Sequence, residues 1–375
     1  MISYKKMKVC AGCLFLFLNG AVRAQVVNTG ITDNYDSVQI GKLSVGGLID
    51  TYYGFDFNEP EGSLRPYCVS SARHNEININ LAYIDLKYRN KYVRAHLVPG
   101  FGTYVNDNYA TEKGSLKNLI EANVGVKISR KKEIWIDAGI LGSPYTNESA
   151  ISKDHLMYTR SFGPEFVPYY QAGVKLSVPF NEKWSGYLYV LNGWQQIQDN
   201  NNPLSIGTQL EFRPNNNLLL NWDTYVGDEY SIAAPMNRTR YFTDLYLIWQ
   251  KEKWTVTSCV YAGRQDKEDS LGLKSTVYWG QANVVADYKI RKRASIAARF
   301  EYFSDPASVQ VVPVTNVNGF ESFSAGACFN LRITDNAMFR LENRLFFSLK
   351  NVYLDRSDSP VSWTNLCIAN LTVWF

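Results

Sequence analysis

The chain has 375 residues, 46% hydrophobic and 14% aromatic, with 39 bases, 35 acids and a mean hydropathy of −0.24. This excludes a bundle of membrane helices, which needs apolar runs of about 20 residues, but not a barrel, whose strands alternate apolar and polar. The excess of bases sits in residues 1–24, where Lys5, Lys6, Lys8 and Arg23 stand with no acid; taking those four from 39 leaves 35 bases against 35 acids. A neutral remainder offers no basic face, so no nucleic-acid partner is expected.

Residues 1–24 have the pattern of a secretory signal: a basic start, an apolar run from Val9 to Leu18, and small residues before a cleavage point between Ala24 and Gln25. The apolar run Leu14–Leu18 follows Cys13 rather than preceding it, which disfavours lipid attachment there. Four cysteines remain, Cys68, Cys259, Cys328 and Cys367, too scattered for a disulfide scaffold or a zinc site. Residues 25–41 are polar and irregular, a periplasmic lead-in.

From 42 to 375 the chain repeats one unit: about ten alternating residues, a short connection, another alternating stretch, a long connection. The first strand, 42–56, places Leu43, Val45, Ile49, Tyr53 and Phe55 on one face. The second, 75–88, changes phase near Ala82, which predicts a bulge. Strands follow at 92–101, 119–128 and 134–141; in 119–128, Ile120, Ala122, Val124, Val126 and Ile128 alternate with Glu121, Asn123, Gly125 and Lys127. After the longest connection, 142–168, strands are expected at 169–179, 184–193, 204–213, 218–226, 240–250, 254–263, 276–288, 294–303, 320–333, 337–349 and 362–375. The count is sixteen, good to within two. The connections 57–74, 102–118, 142–168, 194–203, 227–239, 264–275, 304–319 and 350–361 are long and the intervening ones short.

A soluble sandwich has no reason to sort loop length by parity. An outer-membrane barrel does, with tight periplasmic turns and extended external loops. The reading is therefore an all-β, closed, antiparallel transmembrane barrel of about sixteen strands. Aromatics at strand ends (Tyr52, Tyr53, Tyr88, Tyr92, Trp184, Trp222, Trp249, Trp254, Trp374) would form interfacial girdles, although any one of them could simply be packed. The last strand puts Leu371, Val373 and Phe375 toward lipid and ends on an aromatic residue, the form of an assembly signal.

Several stretches resemble a known family, the putative beta-barrel porins of the OmpL-like type: Gly142-Ser143-Pro144, Glu148-Ser149, Tyr158-Thr159-Arg160-Ser161, Pro168-Tyr169-Tyr170 and Gly173. Leu48-Ile49-Asp50-Thr51-Tyr52-Tyr53 and Ala82-Tyr83-Ile84-Asp85-Leu86 are similar to it as well. The glycine common upstream in the assembly signal is missing. The resemblance implies a passive outer-membrane channel with no defined substrate.

With the polar faces inward, Arg94, His96, Glu121, Lys127, Asp137, Arg299, Glu301, Arg332, Arg340, Glu342 and Arg344 would line the lumen. The bland reading of these charges is a set of cross-strand pairs stiffening the wall. Arg299, Arg332, Arg340 and Arg344 come from consecutive strands and would form a basic patch. If 142–168 folds inward, Glu148, Asp154, Arg160 and Glu165 would form a constriction loop, its acids opposing that patch across the pore; an external lid is the equal alternative. No metal-ligand spacing or phosphate-binding glycine loop is present, and no histidine is paired for hydrolysis, so neither enzyme nor cofactor is expected.

The expected function is passage of small hydrophilic solutes or ions across the outer membrane of a Gram-negative bacterium. The expected surroundings are lipid, lipopolysaccharide and the barrel assembly machinery, with a homo-oligomer left open. The alternative is a structural or adhesive barrel with a plugged lumen.

Overall fold

A computed structural model describes residues 38–40, 42–60 and 62–375. Sixteen long strands form one antiparallel sheet that closes on itself. The first half comprises β1 (Leu43–Asp56), β2 (Ile77–Arg89), β3 (Val93–Phe101), β4 (Leu119–Lys127), β5 (Trp135–Gly142), β6 (Tyr170–Pro179), β7 (Trp184–Leu191) and β8 (Ser205–Asn215). The second comprises β9 (Leu218–Asp228), β10 (Asn237–Lys251), β11 (Trp254–Glu268), β12 (Lys274–Arg291), β13 (Ala294–Asp305), β14 (Phe320–Thr334), β15 (Ala337–Phe347) and β16 (Trp363–Trp374). A three-residue strand, Val38–Ile40, folds back onto Leu43–Val45. The predicted leader and cleavage point lie outside the described residues.

Closure runs along β16 and β1, from Leu366 opposite Asp56 to Trp374 opposite Leu48. Phe375 and Gly47 then exchange both backbone hydrogen bonds, at 2.9 and 3.0 Å. With every stave paired on both sides, no backbone row is left open to lipid. The alternation read from sequence sorts the faces of β16 as expected. Leu371, Val373 and Phe375 are 43, 45 and 50% exposed on the outside, while Ile368 and Trp374 are buried inside.

The register shifts in several pairings, and two of the shifts turn an extra apolar side chain inward. In β2 the register slips opposite Asp50 and Thr51 of β1, so that Asn80 and Leu81 both turn inward, just before the predicted Ala82. In β4 a slip beside Pro99 turns Ile120 inward against Val98 and Tyr104, correcting its assignment to the outer face. Tyr52 and Trp374 also point inward, and Trp222 lies at mid-strand, where its indole N–H donates to Thr243 Oγ1 at 2.9 Å, so none of the three belongs to a girdle. The four cysteines are unpaired thiols.

The sixth long connection is shorter than predicted. Residues 264–275 are mostly paired strand, with Glu268 opposite Lys274, and only 269–273 form the turn. The third, residues 143–169, is enclosed by the barrel and almost entirely buried.

Candidate functional site: the lumen and its inner loop

Residues 143–169 start at the end of β5, cross the lumen and return to β6. The loop is held by its backbone. Thr146 N–H donates to Asp244 on β10 at 2.5 Å, and Asn147 Nδ2 donates to Thr257 and Asn283 on β11 and β12, at 3.0 Å each. Tyr158 and Thr159 N–H both donate to Glu342 on β15, at 2.8 and 2.9 Å. Phe162 N–H donates to Glu301 on β13 at 2.5 Å. Apart from single helical turns at Ser152–Asp154 and Phe162–Glu165 the segment is irregular, and wall carboxylates supply acceptors for N–H groups it leaves unmatched.

Glu301 and Glu342 are matched in turn by arginines. Arg299 lies 2.9 Å from Glu342 and 3.3 Å from Glu301, and Arg344 lies 2.5 Å from Glu301. Arg299 also donates to Thr159 O at 2.7 Å, and Arg344 to Arg160 O at 2.8 Å. Arg299 and Arg344 both stand opposite Gly326 of β14, whose missing side chain clears the space between them. An added Cβ there would come within 3.4 Å of Arg344 Cβ and Cγ and 3.0 Å of Asn343 O. The acceptors are thus built by Arg299-x-Glu301 and Glu342-x-Arg344 on either side of a glycine.

This arrangement corrects the predicted field. Arg299, Arg340 and Arg344 form no water-facing patch; they are buried beneath the loop, which lies on that wall instead of facing it across the pore. Arg332 lies apart, beside a cavity of about 320 Å³ near the short turns, with Asp287, Lys289 and Arg291. Of the loop acids, Glu148 accepts Ser161 N–H at 2.7 Å and reaches Arg299 at 4.0 Å. Asp154 lies 3.5 Å from Lys153. Glu165 lies 3.5 Å from Arg160, whose guanidinium stacks 3.9 Å from the Tyr169 ring. His155 donates from Nε2 to Ser149 O at 2.7 Å, and its Nδ1 is buried without a partner. Burial, with Arg160 and Arg340 close by, pushes its pKa down to about 3.

On the opposite side the loop packs through Ile151 and Tyr169 against Leu81, Val98 and Ile140, and space remains toward the short turns. A cavity of about 470 Å³ runs along β2 to β8, lined by charged and hydroxyl-bearing side chains. Arg94 clamps Asp137 with Nε and Nη2 at 2.6 and 2.5 Å, passing over Gly125 of β4. A Cβ on Gly125 would sit 2.2 Å from Asp137 Oδ1. His96 is held between Asp85, at 2.8 Å, and Glu121, at 3.0 Å. Lys127 pairs with Glu133 at the short-turn end of the wall.

Two further features of the lumen wall follow from strand register. Asp223 and Asp244 are directly opposite one another on β9 and β10, both buried, and no ion pair among the described residues involves either. Lys175, on β6 among the cavity residues, uses its ammonium in no hydrogen bond or ion pair among the described residues. No cluster of three or more His, Cys, Asp or Glu among those residues could hold a metal.

A closed sixteen-strand barrel with tight turns at one end, an inner loop and a charged lumen defines an outer-membrane porin. The chain belongs to the family described as "Putative beta-barrel porin-2, OmpL-like", which matches residues 42–373. No curated protein matches it. Among solved structures, the fold is similar to the outer membrane channel DcaP of Acinetobacter baumannii, with 9% identity over 89% of this chain and 97% of that one and a TM-score of 0.61. OmpT of Vibrio cholerae shares 12% identity over 91% of this chain and 100% of that one, at a TM-score of 0.55. The anion-selective porin from Comamonas acidovorans shares 6% over 89% and 99%, at 0.56. At these identities the likeness concerns the fold alone.

Proposed function

We propose that small hydrophilic solutes and ions cross this porin along the β2–β8 side of the lumen, and that residues 143–169 act as the constriction loop. The observation that carries this is the asymmetry of the interior. One wall is sealed by the loop and its arginine–glutamate clamp, and the other keeps a charged cavity of about 470 Å³. Charged groups in such numbers are tolerated inside a barrel when water or partners surround them. The constriction therefore comes from the loop's bulk and the facing β2–β8 wall, with Glu148, Asp154, Arg160 and Glu165 fixed inside the loop.

Passage is passive, with no catalytic step. The three histidines are all occupied: His74 accepts Asp56 N–H, His96 sits between two carboxylates and His155 donates to a carbonyl. We further propose export with cleavage after Ala24, residence in the outer membrane of a Gram-negative bacterium among lipid and lipopolysaccharide, and recognition of Leu371, Val373 and Phe375 by the barrel assembly machinery. Assembly with copies of itself is proposed as well; one solved Vibrio cholerae OmpT structure is described as a trimer form. Purified protein in planar bilayers tests the central reading. Stepwise conductance is expected, and a silent bilayer would transfer the case to a plugged, structural barrel.

A further inference from the structure

Around the larger cavity almost every charge is matched within the wall. Arg94 holds both oxygens of Asp137, Lys87 and His96 share Asp85, His96 also reaches Glu121, and Arg213 lies 3.2 Å from Glu211. Arg89 and Lys127 converge on Glu133 at the rim. Lys175 is the exception. It stands opposite Asp137 on β5 and Tyr189 on β7, but its cross-strand carboxylate is already taken by Arg94. The Tyr189 hydroxyl donates to Gln209 and the Tyr187 hydroxyl to Glu211, and among the described residues neither oxygen receives a hydrogen bond from Lys175.

A half-buried ammonium that meets the cavity without a wall partner keeps three N–H donors for water or a solute. In a narrow polar channel it concentrates counter-ions. We propose that Lys175 is the centre of a binding subsite, within the permeation path, for small carboxylate anions carrying a single charge. A carboxylate accepts two of the ammonium's hydrogens, and Ser177, two residues along the same cavity-lining face, offers a hydroxyl. The fixed acids Glu121, Asp137 and Glu211 surround the site, each matched to its own base, and they repel ligands bearing further negative charge. The subsite rests on the reading of this cavity as the solute path, but its occupancy can be measured without current.

The experiment uses detergent-solubilised, folded barrel and trifluoroacetate as the probe, read by the fluorine NMR line width. Wild type should broaden the line saturably, Lys175→Arg should keep the effect and Lys175→Met should lose it, all three being shown folded by their heat-dependent gel mobility. Wild-type protein that leaves the line unbroadened, or Lys175→Met that broadens it as wild type does, overturns the proposal. In bilayers under a potassium chloride gradient, Lys175→Met should shift the reversal potential toward cation preference, and an unshifted potential also counts against the subsite. Saturable broadening from a barrel that is electrically silent would overturn the porin path and leave the subsite standing.

Discussion

At the scale of single residues, Asp223 and Asp244 set two buried carboxyl groups directly opposite one another, where two like charges would destabilise the sheet. Asp244 is kept because Thr146 N–H of the inner loop needs its oxygen. Asp244→Asn would keep that acceptor, present an amide donor to Asp223 and remove the repulsion. The temperature at which the folded gel band converts to the unfolded one should therefore hold or rise. Asp244→Ala strands the Thr146 N–H and should cost about 1–3 kcal/mol. If Asn destabilises as much as Ala does, the assignment of Asp244 as an acceptor is wrong.

His155 carries a second residue-scale expectation. Its folded pKa of about 3 lies below the ordinary value of about 6.5. The docked loop therefore refuses a proton that a released loop takes up. The packing is at full strength above about pH 6.5 and weakens as pH falls toward 3, by up to about 1.4 kcal/mol per unit. Single-channel recordings should show loop flicker increasing between neutral pH and pH 5. His155→Asn should flatten that dependence, and an equally steep one in the variant would acquit His155. Neither expectation was legible in the sequence, because each depends on which strand faces the loop, and that is set by register.

At the scale of elements, the sequence was more informative. Alternation located all sixteen staves to within a few residues, because lipid outside and water inside impose a period of two on each. It failed where that contrast is absent. Residues 264–275 looked like a loop because they are polar on both faces, yet they pair as strand above the apolar band. The inner loop posed the reverse problem: nothing in 142–168 says which side of the barrel wall it occupies. The signal lay elsewhere, in Arg299-x-Glu301 and Glu342-x-Arg344 on either side of Gly326. That placement changes what the arginines should do. Arg344→Met would leave Glu301 and the Arg160 carbonyl short of a donor, and breaking such a buried pair costs about 3–5 kcal/mol. The loop should loosen, giving larger and noisier single-channel currents with little change in ion preference. A clean shift in selectivity at unchanged conductance would mean that Arg344 faces the water after all.

At the scale of the whole molecule, stability depends on closing the seam between β16 and β1. A barrel differs from a sandwich in having no tolerable edge, since unpaired backbone groups in lipid each cost several kcal/mol. The seam ends where Phe375 and Gly47 exchange backbone hydrogen bonds, and the Phe375 ring lies over Gly47. A Cβ on Gly47 would stand 2.5 Å from the ring tip and 3.0 Å from Tyr83 O, so glycine is what lets the ring lie flat on the outer wall. Gly47→Val should displace the ring and strain the β1–β2 backbone, an overpacking cost of about 1–3 kcal/mol. The folded band should then convert at a lower temperature, and less protein should reach the outer membrane. Deleting Phe375 should reduce insertion further, because it removes both seam hydrogen bonds as well as the ring. The conductance of whatever inserts should match wild type in both cases, since neither residue faces the lumen. Normal insertion with altered conductance would place this end of the seam in the pore wall instead of in assembly.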